Sequence, residues 1–435
     1  MLNLIRNPNI NSNHLFRADI SLDCPYTPDF VTDPAIRPRI TQFLGFDMKT
    51  IMIRTLIPRN IIVDKPLDQT CIFYERTTES GLVISLVVYL PHISSASESP
   101  FYHPAVHGIG FLHTWHPHTN EGRLSIYYSF FDEEPRSEKL ERTAQHLLAV
   151  LYKHGEGLAA GYVKRVQHDV IIPQSVVQNT YARLKAKYAR NLIQGWVETT
   201  DPGKHVFEDL GIAAFLIELW RDMYKDSKFP GFVDIGCGNG LLVHLLIEEG
   251  YSGWGFDARR RKSWAAWSEK AQQNLKEMVL IPSIIQKDSR VQEIGVHDGK
   301  FEKGTFIISN HADELTPWTP ILATLSESPF IAIPCCSHAL SGARFRAPPP
   351  RGASTSTSAY ASLVAWVTRL AIECGWEVEK EMLRIPSTRN AGLIGRRRNL
   401  TFKDVDIESL IADSGGAAGW EENALKLVKG ATRGH

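Results

Sequence analysis

The run Phe232-Val-Asp-Ile-Gly-Cys-Gly-Asn-Gly240 carries a pattern that could seat a nucleoside. A short apolar stretch holding Asp234 breaks into a turn with Gly236, Gly238 and Gly240, then opens a helix at Leu241. Glycine lets backbone pass close to a ligand that any Cβ would hold away. A second strand-like run, Gly253 to Phe256, ends on Asp257, an acid placed to accept both hydroxyls of a ribose. A glycine turn alone is common between strand and helix, but the turn, Asp234 and Asp257 together are much more specific. Directly after Asp257 comes the densest basic run, Arg259-Arg260-Arg261-Lys262. Four positive charges at a helix start oppose its dipole, and an external phosphate would relieve that cost; a solvated helix start is the alternative. Two other clusters invite a metal or nucleophile reading. His103, His107, His113, His116 and His118 match no zinc spacing and have no cysteine among them, so no metal is expected there. Cys335-Cys336 follow a buried strand and read as small apolar packing rather than as a nucleophile.

The elements that must position these residues fit within 435 residues, room for two to three domains. Lys plus Arg and Asp plus Glu both number 48, for a formal net charge of zero, so a nucleic acid would have to be held by local basic patches. The longest apolar runs, such as Leu82 to Leu90, fall far short of the roughly 20 residues of a membrane span. Met1 to Pro8 lacks the apolar core of a signal peptide. Six scattered cysteines read as reduced thiols, which points to a cytoplasmic or nuclear protein, with the cytoplasm as the expectation.

Residues 1–170 read as an α+β accessory domain. Thr70 to Tyr74, Leu82 to Leu90 and Arg123 to Phe131 are its strands, and Ser137 to Lys153 is a helix stopped by Gly155 and Gly157. Residues 171–230 read as a helical connector, with helices over Val176 to Val197 and Phe207 to Tyr224. Asp201-Pro202 should cap the second. From 231 to 415 strands and helices alternate as in a doubly wound α/β sheet. Strands are expected at Phe232, Gly253 to Phe256, Ser283 to Lys287, Thr305 to Ser309 and Phe330 to Pro334, with helices at Ser263 to Val279, Pro317 to Leu325 and Ala359 to Cys374. Glu377 to Ile385 and Leu393 to Arg397 should close the sheet as an antiparallel pair. Arg346 to Ser358 is of low complexity and reads as a loop, and 416–435 as a tail.

The pattern Asp-x-Gly-x-Gly-x-Gly resembles the cofactor loop of S-adenosylmethionine (SAM) methyltransferases more than the dinucleotide fingerprint Gly-x-Gly-x-x-Gly. Further segments resemble one family, the eukaryotic tRNA (uracil-2'-O)-methyltransferases that modify uridine 44 of serine tRNAs. They include Tyr181 to Tyr188, Trp196 to Asp209, Phe232 to His244 and Gly253 to Trp264. Asn310-His-Ala-Asp-Glu-Leu-Thr-Pro-Trp318, Pro334-Cys-Cys336 and Ile385 to Asn390 complete the set. The resemblance implies a Rossmann-like SAM-methyltransferase sheet, SAM as cofactor, and tRNA as partner, with no membrane. It implies cofactor contacts at Asp234, Gly236, Gly238, Asn239, Asp257, Asp288 and Asn310. Asp257 would bind the ribose, and Asp288 would lie near the adenine unless it is merely an exposed helix start. Transfer to a ribose 2'-hydroxyl needs a group to take its proton, and His311, Asp313 and Glu314 are the candidates. Asp313 and Glu314 could instead cap the helix that follows. The Lys-Asp-Lys-Glu tetrad of many 2'-O-methyltransferases is not seen. Arg259, Arg260, Arg261 and Arg389 are the candidates for holding RNA. The competing readings are a methyltransferase of a protein or small molecule, and a non-catalytic RNA-binding subunit that keeps the fold.

Overall fold

The structure, a computed structural model, describes residues 1–27, 37–61, 63–131, 137–162, 168–285, 295–349 and 358–429. The chain divides into two compact units, Met1–Lys164 and Arg165–His435.

In the first unit six strands pair in chain order as an antiparallel meander. They are β1 (Leu15–Pro25), β2 (Asp47–Pro58), β3 (Leu67–Thr77), β4 (Val83–Pro91), β5 (Gly108–His116) and β6 (Glu121–Ser129). Helix α1 (Leu2–Arg6) precedes them and α2 (Glu138–Ala159) follows. One sheet face buries Met52, Cys71, Val87, Tyr89, Ile109 and Phe111, with Leu140, Leu147 and Leu151 of α2 packed against them. The opposite face buries Ile51, Ile72, Tyr74, Leu86, Val88 and Leu90. Sequence patterning found β3, β4 and β6 but missed β1, β2 and β5. Proline breaks most elements, but Pro25 and Pro58 each stand at a strand end, where a missing N–H is tolerated. Gly155 and Gly157 do not stop α2, which runs on to Ala159; on an exposed helix each glycine costs only about 1 kcal/mol. Of the clustered histidines, His103 is buried, bonding Gln69 through Nε2 (2.9 Å) and the Pro104 carbonyl through Nδ1 (2.7 Å). His113 stacks on Trp115.

The second unit begins before its first helix. The amides of Asp169, Val170 and Ile171 donate to the buried Glu381 carboxylate at 2.7–2.9 Å, tying this segment to the sheet. Helices α3 (Gln174–Gln194) and α4 (Pro202–Met223) follow. Asp201 caps α4 by accepting from Gly203 N at 2.9 Å, and Pro202 fills its first turn. Then come β7 (Phe232–Ile235), α5 (Leu241–Glu248), β8 (Gly253–Asp257), α6 (Glu269–Gln273), β9 (Leu275–Glu277) and a small parallel pair, β10 (Val279–Leu280) and β11 (Val296–His297). The unit continues with β12 (Phe306–Asn310), α7 (Thr319–Leu325), β13 (Phe330–Ile333), α8 (Ala359–Glu373), β14 (Trp376–Met382), β15 (Ala391–Arg398), α9 (Ile407–Asp413) and α10 (Trp420–Lys429).

The seven-stranded sheet has the order β14-β15-β13-β12-β7-β8-β9. Six strands run in one direction, β13, β12, β7, β8 and β9 as parallel neighbours, and only β15 of this sheet runs against them, antiparallel to both β13 and β14. Residues of α3, α4 and α5 cover one face, against Phe232, Phe306, Ile308, Ile331 and Ile333. Residues of α7, α8, α9 and α10 cover the other, against Val233, Ile235, Ile307, Phe330 and Ala332. This is the doubly wound α/β sheet of the SAM methyltransferases.

Three local expectations need correction. No continuous helix spans 263–279: Trp264 and Trp267 are buried at separate points, Ser268 caps the short α6 through Ala271 N, and the chain then turns into β9. The third parallel strand is therefore Leu275–Glu277 rather than Ser283 to Lys287; Ser283 to Ile285 form a turn, and Gln286 and Lys287 lie outside the described residues. Residues set apart as a tail form α10, whose Trp420 is 2% exposed and donates through Nε1 to the Leu280 carbonyl at 2.9 Å.

Candidate active site

Strand order reverses at β7, which lies between β8 and β12, and a cleft opens beyond the carboxyl ends of these strands. Ligands of doubly wound sheets bind at such switch points. Gly236 and Gly238 line the cleft, with Asp257, Arg259 and Arg261 after β8 and His311 to Leu315 after β12. An apolar wall is made by Phe256, Met278, Leu280, Trp420 and Leu427.

The glycine turn is shaped by sterics. Gly236 has φ +70°, and a Cβ there would lie 3.1 Å from the Ala312 Cβ. Gly238 also has positive φ, but open space surrounds its missing side chain, a cradle that a ligand can enter. Two tryptophans and a serine hold the turn from outside. Trp264 Nε1 donates to Gly238 O (2.9 Å), while Trp267 Nε1 and Ser263 Oγ donate to Asn239 O (2.8 Å each). The Asn239 side chain accepts from Leu241 N at 2.8 Å, so it starts α5 and is not part of the cleft lining. Asp257 accepts from Gly238 N (3.0 Å) and Arg259 N (3.2 Å), fixing its carboxylate across the turn.

Beneath this turn lie acids that sequence patterning only partly anticipated. Asp234 is 1% exposed and its Oδ1 has no partner among the described residues. Burial, with the nearby charges of Asp209 and Asp257, pushes its carboxyl well above the usual range. Asp209 of α4 is pushed up to about 7 by burial and by Glu208, against the opposing effect of a bond from Asn310 Nδ2 (3.1 Å). The Asn310 Oδ1 is buried and has no partner among the described residues. Asp234 and Asn310 thus stand behind the lining rather than in it. Asp288 lies outside the described residues.

After β12 the chain turns sharply. His311 (φ +51°) and Asp313 (φ +40°) both adopt left-handed backbone, uncommon for non-glycine residues and concentrated at functional sites. His311 Nε2 lies 3.1 Å from Glu208 Oε1, and its Nδ1 is buried without a partner among the described residues. Burial works to raise the Glu208 carboxyl, but the His311 bond and charge outweigh it and hold the carboxyl below its ordinary value. Asp313 Oδ1 accepts from the Cys335 thiol at 3.0 Å. Burial and Asp313 together push that thiol far up, so it stays protonated. Donor atoms of Asp313, Cys335 and Cys336 lie within 4.8 Å of one another. Glu314 Oε1 is 3.8 Å from Nε2 of the buried His338, beyond hydrogen-bond reach. Asp313 and Glu314 lie in a short 3₁₀ turn, and the helix that follows, α7, has Trp318 at its N-cap position and no side-chain cap bond.

The basic run divides. Arg259 and Arg261 turn into the cleft lining, whereas Arg260 is exposed, 5.5 Å above the Trp264 ring. No α-helix starts here, only a 3₁₀ turn over Lys262–Ala266, so the dipole argument for a phosphate lapses. Arg389 is exposed and donates to the Cys335 carbonyl at the end of β13, with its guanidinium 5.1 Å over Tyr360. Sequence patterning missed Glu208, Asp209, His338, Arg344 and Trp420. The one signal available was the pair of acids that opens the largely apolar run Leu210 to Trp220.

Comparison with known proteins agrees with this architecture. Residues 1–165 match the family described as TRM44-like, N-terminal bet v1-like domain, and residues 171–282 match a predicted AdoMet-dependent methyltransferase family. A tRNA (uracil-O(2)-)-methyltransferase of Neurospora crassa is 54% identical, over 99% of this chain and 89% of that protein. Proteins of the same name from Aspergillus oryzae (41% identical, 92% of this chain and 79% of theirs) and Schizosaccharomyces pombe (39%, 100% and 90%) are also similar. Identity of this level along nearly the whole chain, on a sheet with this strand order, makes the chain a member of the tRNA (uracil-O(2)-)-methyltransferase family.

Proposed function

We infer that this chain is a SAM-dependent tRNA methyltransferase that modifies the ribose 2'-hydroxyl of a uridine, position 44 of serine tRNA by the resemblance set out above. A cytoplasmic setting belongs to the same reading and is supported by six free cysteines. No described helix is long and apolar enough to cross a membrane.

The observation that carries the cofactor reading is the acid-rich floor of the cleft. Asp209 and Asp257 each lie within electrostatic reach of Asp234, and Asp234 Oδ1 and Asn310 Oδ1 are buried without partners among the described residues. Orphaned oxygens in a low-dielectric site are costly, and a ligand bearing cationic groups relieves them. SAM has two such groups, an ammonium and a sulfonium, and when bound it supplies an electrophilic methyl on that sulfur. Gly236 and Gly238 would admit its amino-acid portion, Asp257 the ribose hydroxyls, and the Phe256–Met278–Leu280–Trp420 wall the purine face. Asn239 acts only by shaping the turn.

For catalysis we assign the base to His311 rather than to Asp313 or Glu314. With the proton on Nε2 donated to Glu208, the lone pair of Nδ1 is free to take the proton of the acceptor hydroxyl. Glu208 then faces the imidazolium as a counter-charge. Asp313 is already engaged by the Cys335 thiol. Arg389 stands at the adjoining strand end as a phosphate ligand, and Arg259 and Arg261 line the cofactor side. Incubation with methyl-labelled SAM and bulk tRNA tests the reading. Label in tRNA supports it; label only in protein or small molecules, or none at all, overturns it.

A further inference from the structure

A group of aromatic and basic side chains lies beside the cleft and takes no part in the chemistry described so far. The turn between α3 and α4 is closed by Trp196 Nε1 donating to Thr200 O at 3.0 Å. Glu198 of that turn accepts from Ser263 N at 2.9 Å, and Ser263 itself holds the Asn239 carbonyl of the glycine turn. Trp196 is thereby pinned next to the cofactor loop. Its indole stacks nearly parallel to the His205 ring, at 5.8 Å and 8°, and both rings are half-buried. His205 precedes Glu208 by one helical turn and lies within electrostatic reach of both Glu208 and His311. Phe207, two residues further along α4, faces away from His205 and has Lys185 Nζ 5.0 Å over its ring. Lys185 and Lys204 are exposed and have no ion-pair partner among the described residues. By contrast, Arg183 and Lys187 on the same helix are paired with Glu249.

We propose that the stacked rings of Trp196 and His205 form a platform for an unstacked nucleobase within one nucleotide of the acceptor ribose, with Lys204, and Lys185 on the other side of α4, on its flanking phosphates. The proposal rests on the tRNA reading above and adds where the RNA is held. His311 Nδ1 is buried, so a 2'-hydroxyl that meets it must enter the cleft, as the ribose of a nucleotide turned out of its stack can. Flat aromatic faces bordered by unpaired cations are the chemistry that holds single-stranded nucleic acid. The platform is joined to both halves of the reaction, through Glu198 to the cofactor turn and through Glu208 to His311. A base seated there would bring its ribose between them.

The test compares Trp196→Ala, Trp196→Phe and the double variant Lys185→Glu/Lys204→Glu with the parent protein, all full length. Affinity for tRNA is measured across a salt series, alongside melting temperature and SAM affinity. Trp196→Ala should bind tRNA about 5- to 150-fold more weakly, the worth of one stacked base. Trp196→Phe should keep most of the affinity, and SAM affinity should be unchanged in both. The lysine variant should flatten the log–log salt slope by about one to two units. Should Trp196→Ala fail to fold, Trp196→Leu, which keeps apolar bulk without a π face, decides in its place. Parent-like tRNA affinity and salt slope in these variants overturns the platform. So does a loss of SAM affinity that matches the loss for tRNA. A parent protein that labels tRNA while its variants match it overturns the platform alone; one that labels no tRNA overturns the function on which it rests.

Discussion

Asp257 accepts two backbone amides and still lines the cleft, so its removal should weaken the cofactor more than the fold. Asp257→Ala would lose charge-assisted hydrogen bonds worth about 1.5–3 kcal/mol, roughly 10- to 150-fold in SAM affinity. Calorimetric titration checks this, and parent-like affinity would remove Asp257 from the ribose. His311→Ala should leave SAM and tRNA binding intact while slowing single turnover about 10²- to 10⁴-fold. Glu208→Gln should lower the turnover rate without raising KM, because Glu208 acts through the imidazole. Equal rates in all three proteins would place the base elsewhere. At this scale the sequence was legible where chemistry leaves a local pattern, as in the glycine turn with Asp257 or the cluster His311 to Glu314. It was not legible for Glu208 and Asp209, which come from a helix about a hundred residues earlier in the chain than their partners Asn310 and His311. No spacing rule reports such a contact. An asparagine in a glycine turn can face either the ligand or its own helix start, and only the structure shows the Asn239 side chain accepting from Leu241 N.

Helix α4 brings buried acids against the carboxyl end of β12, at a measurable cost. The Asp209 carboxyl stands at about 7 in the folded chain against an ordinary 3.8. Between those values the folded protein holds a proton that the unfolded chain has released, so stability falls as pH rises through that window. Asp209→Asn removes the dependence. Its melting temperature should exceed the parent's above about pH 7, and the difference should shrink toward about pH 4. Melting curves across that range decide, and parallel curves would contradict the assignment. Strong periodicity made most helices and the central strands of the second unit readable. The stretch 263–279 misled because its two tryptophans look like a helical stripe, yet each donates from outside to the carbonyls of the glycine turn. β2 was hidden by Pro58, whose position at a strand end only pairing reveals.

Across the whole molecule, the catalytic unit extends further in sequence than its motifs. Glu381 draws in the chain at Asp169 to Ile171, and α10 returns at the other end to wall the cleft with Trp420 and Leu427. Trp420 packs 5.4 Å from Trp318 and donates to the Leu280 carbonyl. Trp420→Ala should cost about 3–5 kcal/mol of stability, as large buried aromatics do, and should weaken SAM binding as well. Thermal melts and calorimetry on this variant check both effects, and intact SAM affinity would take α10 out of the site. The first unit was the least legible part. Its antiparallel meander carries no clustered chemistry, and its strands alternate apolar residues over two buried faces, so the family match at 1–165 had no motif to announce it. The central claim, methyl transfer to a uridine 2'-oxygen in tRNA, is tested most directly by nucleoside mass spectrometry of tRNA after reaction with the full-length protein and labelled SAM. The account predicts label in 2'-O-methyluridine, with the methyl on the ribose fragment. Label on the uracil base, on another nucleoside, or on no tRNA at all would contradict it.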